Sequence, residues 1–242
     1  PRDSRLVEVP SPFPEANRLV LYSDDVTTKH DDITRDDSLL DRMSERISGV
    51  LSQVPRSTIV FYPSYALMER IAGKTADASR GREVFFETRG MDQADLMDAV
   101  RGFKSSSGRG VMHAIAGGRV SEGLDFPGSE MEVALVAGIP YPKPTAKQRA
   151  LQHFCDLRFG DGWSHAVHAP TSRKLQQAIG RLIRSETDRG VAVVLDKRIV
   201  HFRDTIEARR SEDPAADIAE FFSCERPAAE EPPPRRRKGL QL

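Results

Sequence analysis

Short, nearly continuous apolar runs recur along the chain, each closed by turn residues and followed by a stretch with helical period. The clearest are "VALVAG" at 133–138 and "VAVVLD" at 191–196. A strand with one wet face alternates apolar and polar side chains, whereas one that is apolar at every position is buried on both faces. Where such runs alternate with helices, the arrangement that covers both faces is a mostly parallel sheet between two helical layers, an α/β fold. The runs predict strands at Leu19–Tyr22, Thr58–Tyr62, Glu83–Glu87, Gly110–Ala116, Glu132–Ala137 and Val191–Leu195. Helical period predicts helices near Ser38–Gln53, Ser64–Ala72, Met91–Lys104, Thr145–Arg158 and Ser172–Arg184, with one or two more between Ile199 and Phe222. Residues 1–17 are Pro-rich and read as an extended leader. Residues 225–242, "ERPAAEEPPPRRRKGLQL", read as a disordered tail, too polar to bury the surface that ordering needs. That leaves 18–224 as one folded domain.

A sheet of this kind binds its ligands at the carboxyl ends of its strands, so the segments there carry the functional reading. Lysine plus arginine and aspartate plus glutamate balance to a net charge of zero. An anion site must therefore be a local concentration of charge rather than a property of the whole surface. Cys155 and Cys224 are far apart, without metal-ligand spacing, which excludes a disulfide scaffold and a zinc ribbon and fits a reducing interior. No apolar run approaches the ~20 residues of a membrane span and no signal peptide opens the chain, so the expected location is the cytoplasm or nucleoid, or the nucleus in a eukaryote. The first residue is Pro1, as expected of a piece of a longer protein.

Three segments lie at predicted strand ends. "QQAIGRLIRS", 176–185, is amphipathic on a helical wheel: Leu175, Ile179, Leu182 and Ile183 gather on one side, and Gln177, Arg181 and Arg184 on the other. Between Thr171 and Arg184 the basic residues Arg173, Lys174, Arg181 and Arg184 have no carboxylate among them. Like charges at helical spacing repel, and an arriving anion relieves the repulsion. Gly180 costs such a helix ~1 kcal/mol relative to alanine, which suggests close approach of something to the backbone there. On this helix alone, an ordinary basic surface and an anion-facing edge both stay open. "AIAGGRVSEGLDFPG", 114–128, puts paired glycines, backbone N–H groups and the carboxylates of Glu122 and Asp125 into a short loop; a plain connection is the alternative. "STIVFYPSYALMERI", 57–71, is a strand, then Pro63, then a helix with Ser64 as its N-cap, which alone is adequately explained as a capped core helix.

Other segments read as decoys. "GKT" at 73–75 lacks the upstream glycine of a phosphate loop and follows a helix, not a strand. "LVLYSDD" has no phosphate loop near it to make metal-binding sense of its carboxylates. His165 and His168 in "WSHAVHAP" lack a third ligand, so no metal site is expected. "RRRK" at 235–238 is a solvated run that can assist binding to a polyanion. No G-x-G-x-x-G fingerprint supports a Rossmann-type enzyme.

Taken together and in order, the three segments resemble the second motor half of an iron-sulfur superfamily 2 helicase, the XPD and DinG type. "IVFYPSYALME" is similar to that family's motif IV, "GGRVSEGLDFPG" to motif V, and "QQAIGRLIRSETDRGVAVVLDKR" to motif VI with its following strand; "IPYPKPT" resembles the connection between V and VI. "SEGLDF" and "TDRG…DKR" match the XPD branch more closely. The resemblance covers roughly residues 18–210 and implies a RecA-like domain. It implies that Arg181, Arg184 and Gln177 act on ATP held between two such halves, the arginines as fingers with planar multi-donor forks. It implies that Glu122, Gly123, Asp125 and Gly180 border the nucleotide, and that Ser64, Tyr65, Arg119 and Ser121 lie along single-stranded DNA. ATP and Mg²⁺ would be held mainly by a first motor half, which this chain lacks together with its phosphate loop and acidic box. A 4Fe-4S cluster is expected in the full-length protein, not in this chain. Single-stranded DNA, the first motor half and DNA-repair complex proteins are the implied partners. The reading is a 5′-to-3′ DNA helicase domain, inactive alone; the competing one is a nucleic-acid-binding or partner-docking module that kept the fold without the motor.

Overall fold

A computed structural model describes residues 14–183 and 185–224. Its core is one seven-stranded sheet: β1 (Arg18–Ser23), β2 (Thr58–Tyr62), β3 (Val84–Phe86), β4 (Val111–Ile115), β5 (Val133–Val136), β6 (Gly190–Leu195) and β7 (Arg209–Arg210). The spatial order is β3-β4-β2-β5-β6-β1-β7 and every pairing is parallel. The register runs Thr58 to Val111 and Val133, Val133 to Val191, and Leu19 to Val191, which aligns the carboxyl ends along one edge.

Strand alternation sorts the apolar residues into two cores. Ile59, Phe61, Ala134, Val136, Ala192 and Val194 face one layer; Val60, Tyr62, Val133, Leu135, Val191 and Val193 face the other. The first layer contains α4 (Gln93–Ser105) and α7 (Ala169–Ile179), the second α2 (Ser38–Gln53), α3 (Tyr65–Thr75) and α8 (Pro214–Ser223). Helix α2 buries Leu40, Met43, Ile47, Val50 and Leu51, an i, i+3, i+4 stripe. Side-chain caps set several starts: Ser64 Oγ accepts from Leu67 N at 3.3 Å for α3, and Asp92 from Asp95 N at 2.8 Å for α4.

At the amino edge, Arg82 holds the strand starts together without any acid. Its guanidinium donates to the carbonyls of Leu51 (3.0 Å), Val54 (3.2 Å), Arg109 (2.8 Å), Gly110 (3.1 Å) and Arg56. Burial lowers its pKa to about 10, so it stays charged at neutral pH.

Several expectations need correcting. The end of the expected extended leader is not extended: Glu15–Asn17 form a 3₁₀ turn, and buried Asn17 donates to the Glu186 carbonyl at 2.8 Å. Two short helices, α1 (His30–Arg35) and α5 (Arg119–Gly123), and strand β7 leave no trace in the sequence pattern, each being too short to show a period. The helix expected over Ser172–Arg184 begins three residues earlier, running on from a π-helical turn at Ser164–His168, and ends at Ile179. Pro170 stands in the first turn of α7, where the missing N–H of proline costs least. Beyond Ile179 the chain tightens to 3₁₀ over Gly180–Leu182 and is extended at Ile183, φ −126°, on its way into β6. The wheel at 100° per residue therefore stops applying one residue before Arg181. Arg184 and residues 1–13 and 225–242 lie outside the described residues.

Candidate functional site

The turn after β4 is built around glycine and serine. Gly117 has φ 75°, a left-handed conformation that favours glycine, and its N–H donates to Ser121 Oγ at 2.7 Å. The same hydroxyl donates to the Gly118 carbonyl at 3.1 Å, so Ser121, fully buried, closes the turn from within and offers no surface to a strand. Behind the turn sits Glu87, also buried. Its carboxylate accepts from Ile115 N (3.1 Å), Arg119 N (3.3 Å) and the Tyr65 hydroxyl (3.3 Å). A Cβ on Gly118 would lie 2.9 Å from that carboxylate, so the glycine makes room for it. Burial, then the Glu87 charge, raises the Tyr65 pKa. Glu87 thus joins the start of α3 to the start of α5.

The end of α7 leans on the same turn. Arg181 is only 8% exposed; Nε donates to the Ser121 carbonyl at 2.5 Å and Nη1 to that of Leu124. Lys174 lies across Gly117, where a Cβ would meet its Cε at 2.9 Å. Beside these contacts Arg173, Gln176, Gln177, Gly180 and Arg181 line an open depression of about 320 Å³. Gly180 has φ −68°, allowed to any residue, and a Cβ built there meets nothing within 4 Å. No neighbour among the described residues requires this glycine. What the bare backbone borders is the depression, with donor side chains around it, and this donor set fits an anionic group such as a phosphate.

Residues 47–209 match the helicase C-terminal domain family. The chain belongs to that family. Its motifs in order are those of the XPD type of superfamily 2. Among curated relatives, a regulator of telomere elongation helicase 1 homolog from Drosophila ananassae is 29% identical over 185 residues, 69% of this chain and 18% of that protein. The Culex quinquefasciatus homolog is 32% identical over 163 residues, covering 60% and 16% respectively. The chain therefore spans under a fifth of the length of these relatives. Among solved structures, an XPD helicase superposes with a TM-score of 0.64 at 22% identity, over 80% of this chain and 35% of the other. S. cerevisiae Dbp5 bound to RNA and ADP BeF3 superposes with a TM-score of 0.57 at 11% identity, over 87% and 46%. These two show a shared RecA-like fold.

In this helicase C-terminal domain, then, Gln177, Gly180 and Arg181 come together, and Arg181 and Ser121 are bonded across motifs VI and V. Glu122, Gly123 and Asp125 are exposed at and just after the end of α5 and do not line the depression; the Asp125 carbonyl accepts from Lys104 Nζ at 2.6 Å. Ser64 is spent on its cap. The Arg119 guanidinium donates to the carbonyls of Met91 (2.8 Å) and Asp92 (3.3 Å). Two features escaped the sequence reading. One is Glu87, a single acid at a strand end whose partners come from three other elements. The other is the exposed aromatic and basic face of α6 (Ala146–Phe159), a helix that the period itself predicts over Thr145–Arg158, capped by Thr145 and ended by Gly160 at φ 79°, with Cys155 its one buried residue. Leu151, Phe154, Leu157, Phe159 and, beyond it, Trp163 are all exposed, Leu157 to 77%. Lys143, Lys147, Arg149 and Arg158 stand among them; aromatics interleaved with bases were the available signal. Among the described residues no three metal-ligating side chains gather, and His168 instead stacks on Phe202 and bonds the His201 carbonyl through Nε2.

Proposed function

We propose that this chain is the second motor half of an ATP-dependent 5′-to-3′ DNA helicase acting in DNA repair, in which the depression beside Gly180 meets the phosphates of ATP carried by a first motor half. The observation that carries this reading is the bare Gly180 backbone among Arg173, Gln177 and Arg181. Bound ATP supplies the phosphoanhydride that drives the motor. The chain's own groups supply charge and orientation: Gln177 orders the γ-phosphate side, and Arg181, assigned the finger role from its motif position, brings its positive charge to the edge of the depression while it is braced on the motif V turn. Such fingers are worth on the order of 10³ to 10⁵ in rate in phosphoryl transfer. Arg184 is assigned the companion role from its motif position. Because Arg181 is bonded to the carbonyls of Ser121 and Leu124, a pull on it moves the loop carrying Glu122, Gly123 and Asp125, which couples the nucleotide edge to single-stranded DNA. Mg²⁺ and a 4Fe-4S cluster belong, on this reading, to the remainder of the full-length protein, and the site of action is the nucleus or nucleoid.

The test joins this chain to its first motor half and replaces Arg181 with alanine. DNA-stimulated ATP hydrolysis should fall by about 10³-fold, with folding retained by circular dichroism; undiminished hydrolysis would sink the assignment. The exposed aromatic and basic face of α6 favours a second reading, a nucleic-acid-binding module that needs no motor.

A further inference from the structure

Asp196, at the carboxyl end of β6, is fully buried and has every acceptor position in use. Oδ1 accepts from Thr27 Oγ1 (3.1 Å), Arg198 N (2.9 Å) and Arg198 Nε (2.9 Å). Oδ2 accepts from Thr28 N (2.9 Å), Thr28 Oγ1 (3.1 Å), Ile139 N (3.4 Å) and Arg198 Nη2 (2.6 Å). The paired Nε and Nη2 bonds are a two-point fork that fixes the guanidinium plane as well as its position. The Cζ atom of the same guanidinium lies over the Tyr141 ring, 5.1 Å from its centroid. Tyr141 in turn sits 6.0 Å from the Trp163 ring and 5.9 Å from Phe202. Tyr141 belongs to the connector between β5 and α6, and Trp163 follows α6. A buried carboxylate thereby reaches, through two side chains, the exposed aromatic face of α6 and Trp163.

We infer that Arg198, held by Asp196, is a positioning residue that fixes Tyr141 and through it sets the orientation of Trp163 on the α6 arm, and so the stacking of single-stranded nucleic acid there. The nucleic-acid part rests on the proposed function; the positioning part does not. Lysine cannot replace the arginine, since an ammonium has no plane to hold against both a carboxylate and a ring.

Trp163 is the only tryptophan in the chain, so its emission reports this arm directly. In the whole chain, acrylamide quenching of that emission should rise about twofold in both Arg198→Ala and Arg198→Lys, and binding of oligothymidylate should weaken by roughly fivefold or more, as the loss of one ordered stacking contact predicts. Tyr141→Leu leaves the Asp196 and Arg198 bonds in place and should produce the same rise, which keeps the test alive if the Arg198 variants fold poorly. Quenching unchanged in the folded variants overturns the inference, as does a change that only tracks loss of helical signal. A quenching rise in variants of a parent that never binds oligothymidylate supports the positioning role and refutes the nucleic-acid reading instead.

Discussion

At the scale of single residues, Gly180 separates what folding wants from what the site wants. Its φ of −68° and the empty space around a would-be Cβ mean that alanine fits. Gly180→Ala should leave the chain as stable or raise its stability by up to about 1 kcal/mol, read from urea melts. On the proposed reading the same methyl would stand at the phosphate-facing rim of the two-half motor, and ATP hydrolysis should drop at least about tenfold, as loss of one positioned contact does; unaffected turnover would remove Gly180 from the site. That residue was legible in the sequence because a glycine inside a helical pattern is a local anomaly. His113 was not. It lies in β4 between the Tyr62 and Phe86 rings with Nδ1 2.9 Å from the Tyr62 hydroxyl, and burial lowers its pKa to about 4. The unfolded chain takes up a proton near pH 6.5 while the folded one resists until about 4, so this contribution is full above 6.5 and is lost as pH falls through that window. Stability should decline by about 3 kcal/mol across it, and His113→Phe, which keeps the stack, should flatten that part of the curve.

Elements were legible where packing leaves a periodic trace. Strands β2, β5 and β6 are buried at every position and almost wholly apolar because both faces are covered, and α2 carries an unbroken stripe, so their bounds are readable to within a residue or so. The turn after β4 reads as a loop because Gly117, Gly118 and Gly123 mask a five-residue helix, and the end of α7 is set by the path into β6, a tertiary demand that no wheel contains. Glu87 and Arg82 are invisible for a related reason: most of their partners are backbone groups, which every sequence supplies equally. Arg82 gives the element-scale prediction. Five carbonyls from the α2 end, the β2 approach and the β4 approach lose their donor if it becomes methionine, which fills similar volume without hydrogen bonds. Arg82→Met should cost about 3 kcal/mol or more in chemical denaturation, since partly buried acceptors stay unpaired. A melt within about 0.5 kcal/mol of the parent, the range of ordinary surface changes, would show that water replaces the guanidinium.

For the whole molecule the open contest is between a motor half and a stand-alone binding module, and salt decides it. Net charge is zero, so any affinity of the fragment for a polyanion rests on local basic groups such as those around α6. If the motor reading holds, this chain alone should bind oligothymidylate weakly and gain both affinity and nucleotide dependence when the first half is added. Tight binding without nucleotide, falling steeply with salt as phosphate contacts are released, would favour the module. The sheet order carries one more consequence, in time rather than space. Strand β1 lies between β6 and β7 and pairs Arg18 with Gly190, so the first strand synthesised finds no neighbour until nearly the last has left the ribosome. At ordinary elongation rates that is a wait on the order of 10 to 30 s. During it "RLVLYS" is a strand in search of an edge, and the edge of β5, made before β6, is left open to whichever strand arrives first. Slow synthesis thus lengthens the exposure of the sheet's middle, not of its rim.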